Sequence, residues 1–171
     1  MLQFGLRAHD LGRLPAEQLA DTLAQYRPSS IQLALSKALS ETNTISSIEK
    51  MANLLHRLDS PNLQVIYDPV NLVPLDGQTE TQDSFFRRAM DSFGSRRVAV
   101  HAKDFRMEAG KKTGTLPAGT GDLDYPALLH LLYQQKPWID VLLEDCSPSS
   151  AGPALDFVRS LMTASESINT V

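Results

Sequence analysis

Three short apolar runs end on residues that can bind a cation or transfer a proton, and this repetition constrains the fold more than any other feature. Each run is short, prone to β structure and bounded by turn residues, which is typical of a buried strand. Residues 98–100 lead into His101, residues 63–67 into Asp68, and residues 141–143 into Glu144. Helix-like segments separate the runs, so the pattern predicts βα units and a parallel sheet. Because parallel strands end on one face, we expect Asp68, His101 and Glu144 to converge there.

A pair of carboxylates and an imidazole that meet at one face can serve as ligands of a divalent metal ion. The sequence therefore predicts a metal site formed by Asp68, His101 and Glu144. The alternative is that these side chains cap helices or pair with neighbouring residues, as polar side chains at strand ends often do.

Size and charge narrow the classes of function. The chain has 171 residues, and we expect residues 1–171 to form one domain. Its net charge of −4 offers no basic excess for nucleic-acid phosphates. No apolar run approaches the roughly 20 residues that cross a bilayer, and residues 1–5 lack the apolar core of a signal peptide. With one cysteine, Cys146, no intrachain disulfide can form. We therefore expect a cytoplasmic protein without nucleic-acid or membrane partners.

Apolar periodicity and turn residues predict the other elements. We expect strands at residues 2–6 and 31–35, and helices that begin near Pro15, Ser46, Phe85, Leu128 and Pro153. Ser46 and Glu49 predict a capping box, and Gly94 predicts a left-handed helix cap. Residues 110–124 are predicted to form a long loop that serves as a lid or an active-site loop. We expect Lys111 and Lys112 within it to be solvated surface residues.

Four motifs carry a family resemblance. They are Asp68-Pro69-Val70-Asn71, His101-Ala102-Lys103-Asp104, residues 117–124 and Leu142-Leu143-Glu144. In this order and spacing they resemble the C-terminal half of the xylose isomerase-like TIM barrels, which are sugar phosphate isomerases and epimerases. Residues 2–35 are similar to the first strand, helix and second strand of that family. The resemblance implies a (βα)8 barrel with a divalent metal, Mn, Mg, Zn or Co, at its C-terminal face.

The resemblance also implies roles for individual residues. Asp68, His101 and Glu144 match three metal ligands of the family, and Glu144 is also the expected catalytic residue. The expected substrate contacts are Asn71, which stands where the family often has a histidine, Lys103, and Arg106, a loose match for a substrate-binding arginine. For Lys103 two roles stay open, because it would either bind a substrate phosphate or pair with Asp104.

One departure from the family concerns length. A TIM barrel has about 250 residues, so this chain is shorter by roughly 80. The shortfall falls between about residues 36 and 45, where the family carries its third to fifth strands and a fourth ligand, a glutamate. We therefore expect an α/β fold, an incomplete (βα)8 TIM-like barrel of five parallel strands with flanking helices. Glu41 lies beside the junction and is a candidate to replace the missing glutamate.

Exposed sheet edges follow from a barrel that cannot close. Either the chain forms an open, doubly wound-like sheet, or its edges pair with another copy. We expect self-association into a homo-oligomer on this ground.

The function implied is a metal-dependent isomerase or epimerase of sugars or sugar phosphates that acts through an ene-diolate, with activity impaired by the missing segment. The alternative is a non-catalytic remnant that keeps the scaffold without the full ligand set. A metal-dependent endonuclease of related type would need more ligands and a basic DNA-binding face, which four histidines and a net charge of −4 do not supply.

Overall fold

The computed structural model describes residues 5–7, 18, 20, 21, 30–34, 45–74 and 80–168. Residues 18, 20 and 21 are helical. The strands are β1 (Gly5–Arg7), β2 (Ser30–Ala34), β3 (Leu63–Tyr67), β4 (Arg97–Glu108), β5 (Lys111–Pro117) and β6 (Asp140–Leu143). The helices are α1 (Ile48–Leu58), α2 (Pro69–Leu72), α3 (Gln82–Phe93), α4 (Tyr125–Gln135) and α5 (Ala151–Ile168), and a 3-10 turn spans Gly94–Arg96.

The sheet has five parallel strands in the order β1-β2-β3-β4-β6, and β5 pairs antiparallel with β4. Helices α1, α3 and α4 lie between successive parallel strands along the chain, as in a βα-barrel. The architecture is therefore a partial TIM barrel, and the predicted fold class and strand count are confirmed. None of the helices in the described ranges is long and apolar enough to cross a membrane.

Strand β2 pairs directly with β3, on either side of residues 36–45, where the sequence analysis expects the shortfall. Their register runs from Ile31 opposite Leu63 to Ala34 opposite Ile66. The sheet therefore joins the first two strands of the barrel to its later strands without a gap. Glu41 lies outside the described residues, so its predicted role stays a prediction.

The residues of α1 explain why the segment from Ile48 to Leu58 is helical and why the helix ends there. Its buried residues lie at helical spacing: Ile48, Met51, Leu54 and Leu55. The N-cap is Ser47, whose side chain accepts a hydrogen bond from the Lys50 amide at 3.3 Å. The predicted cap one residue earlier is wrong, because the Ser46 hydroxyl instead accepts from the Lys50 ammonium at 2.8 Å. Asp59 ends the helix in a left-handed conformation with φ 36°.

Helix α3, which the sequence predicts to begin near Phe85, packs an aromatic stripe into the core. The buried residues are Phe85, Phe86, Ala89, Met90 and Phe93. The left-handed cap predicted at Gly94 is wrong, since this residue has φ −56°. The chain turns right-handed through the 3-10 turn and enters β4 directly, so no left-handed reversal is needed.

A β-hairpin replaces the first half of the predicted loop over residues 110–124. Strand β4 continues to Glu108, and β5 returns along it with Lys103 opposite Pro117 and Glu108 opposite Lys111. Ala109 and Gly110 form the turn with φ of 49° and 77°. Strand β5 is held by backbone pairing with β4, and its sequence has no alternation of apolar and polar residues. Sequence periodicity therefore could not predict this strand.

Candidate metal centre

The strand register places the three predicted ligands at one end of the sheet. Tyr67 lies opposite Val100, so the next residues, Asp68 and His101, are level with each other. His101 lies opposite Leu142. The β4–β6 ladder continues past the end of β6, where the Glu144 amide donates to the Ala102 carbonyl at 3.0 Å.

The side chains of Asp68, His101 and Glu144 meet as the sequence pattern predicted. One ligand atom from each lies within 4.8 Å of the other two. His101 Nδ1 is 3.5 Å from Asp68 Oδ2 and 3.4 Å from Glu144 Oε2. Asp68 is buried, whereas the Glu144 side chain is 38% exposed and faces solvent at the mouth of the sheet. Glu144 is therefore the more accessible of these two carboxylates.

Lys103 supplies a buried cation to this cluster, although the sequence suggested Asp104 as its ionic partner. Its ammonium is 2.8 Å from Asp68 Oδ2, 2.5 Å from Glu144 Oε2 and 3.7 Å from Asp145 Oδ2. Asp104 is wrong as the partner because its carboxylate is used by backbone amides further along the chain. Three carboxylates around one ammonium give a formal charge of −2, which favours an additional cation.

The pKa shifts reflect this charge balance. Burial acts to raise the pKa of Asp68, but hydrogen bonds with His101 and the charge of Lys103 outweigh it and hold the pKa below its usual value. Contact with Asp68 raises the pKa of His101 against the effect of burial, and the charge of Glu144 adds to the rise. Burial opposes the charged form of Lys103, yet the two carboxylates keep its pKa above the usual value. The lowered pKa keeps Asp68 ionised at neutral pH, as a ligand for a cation must be.

The spacing of the three ligands fits one divalent ion. Ions of this kind bind carboxylate and imidazole at about 2.0–2.2 Å, so one ion spans ligand atoms up to about 4.4 Å apart. The three ligand atoms lie within 4.8 Å of one another, which exceeds that span by less than half an ångström. Two oxygens and one nitrogen suit Mn, Mg, Zn or Co with positions left open for substrate.

Asp68 also begins a helix, which the sequence analysis did not predict. Its Oδ1 accepts a hydrogen bond from the Asn71 amide at 3.0 Å and caps the four-residue helix α2. Pro69 takes the first helical position, where its missing N–H costs nothing. The predicted substrate contact Asn71 is 7% exposed and lies in this helix, beside the candidate ligand.

Asp104 organises the loop over residues 118–124, a role that the sequence did not reveal. Its buried carboxylate accepts hydrogen bonds from the amides of Phe105, Gly119, Gly121 and Leu123 at 2.9–3.1 Å. Arg106, a predicted substrate contact, is exposed and also contacts this loop. Its guanidinium donates a hydrogen bond to the Thr120 carbonyl at 2.7 Å.

A comparison with known protein families shows which family this chain belongs to. The model of the xylose isomerase-like TIM barrel family matches residues 15–161. The chain belongs to this family. No curated protein matches the chain.

Solved structures share the fold of this xylose isomerase-like chain at low sequence identity. A D-tagatose 3-epimerase-like protein superposes with a TM-score of 0.63 at 15% identity over 88% of this chain and 53% of its own. A family protein from Mycobacterium smegmatis in complex with magnesium gives 0.59 at 15% identity over 93% and 51%. D-psicose 3-epimerase from Clostridium cellulolyticum H10 gives 0.56 at 14% identity over 86% and 55%. The chain thus spans about half the length of these structures.

Proposed function

We propose that this chain binds a divalent cation through Asp68, His101 and Glu144 and acts on a sugar or sugar phosphate as an isomerase or epimerase. The observation that carries the proposal is the meeting of the three side chains within 4.8 Å at the mouth of the sheet. The magnesium complex of one similar structure and the epimerase names of two others support it.

The chemistry assigned to each residue follows from its exposure. A bound cation would polarise the carbonyl and hydroxyl oxygens of the sugar, which is the step that lowers the barrier to ene-diolate formation. Glu144, the exposed carboxylate, takes the proton from the carbon and returns it. Lys103 contacts Glu144 and Asp68 and holds both carboxylates in place, and Asn71 and Arg106 are the further proposed substrate contacts. Of the other carboxylates around Lys103, Asp68 is buried and Asp145 is 26% exposed but 3.7 Å from the ammonium. Glu144 is therefore the one assigned to proton transfer, and we expect slow turnover.

A second candidate function is a non-catalytic remnant. The observation in its favour is that the Lys103 ammonium already contacts both Asp68 and Glu144, so the cluster is partly neutralised by the protein itself. In this case the cation would bind weakly, and the scaffold would remain without turnover.

The experiment that separates the two is a manganese titration followed by an activity assay. Wild type, His101→Asn and His130→Asn would be titrated with Mn²⁺ by calorimetry and assayed on ketoses and ketose phosphates. His130 is the control because it lies on α4, where its ring hydrogen-bonds with the Gln134 side chain at 2.9 Å. Binding and turnover lost in His101→Asn alone support the enzyme. Binding without turnover supports the remnant, and absence of binding by the wild type contradicts the metal site.

A further inference from the structure

Lys112 is buried where the sequence pattern indicated a solvated residue. Its side chain lies on β5 and is 8% exposed, whereas the neighbouring Lys111 is exposed. The Lys112 ammonium donates to the Val70 carbonyl at 2.7 Å and to the Val73 carbonyl at 2.9 Å. Burial lowers its pKa to about 8. The β4–β5 hairpin therefore places a cation against the end of helix α2.

Helix α2 needs this contact because it is too short to be stable alone. A helix of four residues is far below the length at which propagation offsets nucleation, and its last carbonyls have no partners within the helix. One turn is closed by the Val73 amide, which donates to the Pro69 carbonyl at 3.2 Å. All four residues of α2 are buried, so bulk water has little access to the remaining carbonyls. An ammonium at the carbonyl end also complements the helix dipole.

The opposite end of α2 is Asp68 itself. One oxygen, Oδ1, caps the helix through the Asn71 amide, and the other, Oδ2, lies toward His101 and Lys103. The direction of Oδ2 is thus set by the placement of α2, because the two oxygens belong to one rigid carboxylate. We propose that Lys112 is a positioning residue that fixes α2 and thereby aims the Asp68 carboxylate into the cation site. This inference rests on the proposed function for its effect on cation binding.

The test compares Lys112→Met with the matched control Lys111→Met in the full chain. Mn²⁺ affinity is measured by titration, and the exchange of the Asn71 amide is measured by hydrogen–deuterium NMR. The Ala127 amide is an internal reference, since it donates to the Asp124 cap of α4 at 3.0 Å in the same way. Lys112→Gln, which keeps N–H donors without the charge, is the second variant if Lys112→Met does not fold.

We expect Lys112→Met to weaken Mn²⁺ binding by about tenfold, the range seen when a residue that orients a ligand is removed. Exchange of the Asn71 amide should accelerate by at least about tenfold, while that of Ala127 stays unchanged. Lys111→Met should alter neither quantity. If the Lys112 variants keep both the Mn²⁺ affinity and the Asn71 protection of Lys111→Met, the positioning role is wrong.

The amide readout also separates this inference from the proposed function. If the wild type binds no Mn²⁺ but Asn71 exchange still accelerates in Lys112→Met, the metal site is overturned and the aiming of Asp68 by Lys112 stands. If Mn²⁺ binds equally to all variants while Asn71 protection is unchanged, the metal site stands and the positioning role is overturned.

Discussion

At the residue scale, the site is dominated by the cost of burying charge. Lys103 has no exposed surface, and its partner Asp68 is 1% exposed. Removing one member of such a pair leaves the other charge uncompensated, which is far more costly than replacing both. Lys103 therefore acts as an internal cation that keeps the two carboxylates together in the absence of a metal ion.

Replacing this internal cation should destabilise the protein in a way that metal can reverse. We expect Lys103→Met to lower the free energy of unfolding by about 3 kcal/mol in the presence of a chelator. Excess Mn²⁺ should restore part of the loss, because the metal takes over the charge of the ammonium. Urea unfolding with and without Mn²⁺ measures both values. Lys50→Met, at an exposed lysine on α1, is the control. Equal losses with and without metal would contradict the shared site.

A buried lysine with a lowered pKa predicts a pH dependence of stability. Lys112 has a pKa of about 8 in the folded chain against 10.5 when unfolded. Between these values the unfolded chain binds more protons than the native chain, so the free energy of unfolding rises with pH. The rise should amount to about 2–3 kcal/mol between pH 8 and 10.5, and should be absent in Lys112→Met. Urea unfolding across this range measures it. A wild-type curve parallel to that of the variant would refute the shift.

At the element scale, Asp104 and two glycines form the loop that closes onto β4. Gly119 has φ 82°, and a Cβ there would lie 2.5 Å from the Phe157 ring. A Cβ on Gly121 would lie 2.0 Å from the Phe105 carbonyl and 2.5 Å from Asp104 Oδ1. The Phe157 ring therefore occupies the space that a side chain at Gly119 would need, and backbone and carboxylate occupy that at Gly121.

Adding one methyl group to this loop should be costly. We expect Gly121→Ala to lower the free energy of unfolding by about 2–3 kcal/mol, because the Phe105 carbonyl is backbone and cannot rotate away. Gly152→Ala is the control, since nothing lies within 4 Å of its Cβ and the residue is in α5. That variant should be neutral or slightly more stable. Thermal unfolding measures both, and a loss of the same size in the two variants would contradict the steric explanation.

The elements differ in how well the sequence predicts them. The buried strands and α3 carry apolar patterns that reflect their own packing, so β3 and the aromatic stripe could be located from the sequence. Strand β5 and helix α2 carry no such pattern, because both are held by contacts from elsewhere, through β4 and Lys112. For the same reason, the sequence predicts only part of the site. Asp68, His101 and Glu144 follow predictable strands, whereas the partners of Lys103 and Asp104 depend on tertiary folding.

At the scale of the whole molecule, the partial barrel leaves part of its sheet without a partner. Among the described strands, β6 pairs only with β4, so its second edge has no strand partner there. Apolar side chains on and around β6 are exposed: Leu142 on the strand by 44%, Trp138 two residues before it by 78%, and Val98 on the neighbouring β4 by 40%. Edges of this kind favour pairing with another chain. The chain spans only about half of the similar solved structures, which agrees with an unfilled barrel.

Self-association through this edge is the prediction for the assembled protein. We propose that a second copy covers β6, so sedimentation velocity should show a dimer that dissociates on dilution. Leu142→Lys should shift the equilibrium toward monomer by at least about tenfold, because it places a charge where the partner must approach. The side chain of Leu142 is already 44% exposed, so the fold of the monomer should tolerate the change. Leu155→Lys on α5, where the side chain is 37% exposed, is the control and should leave the dimer unchanged. A wild-type chain that stays monomeric at high concentration contradicts pairing at this edge.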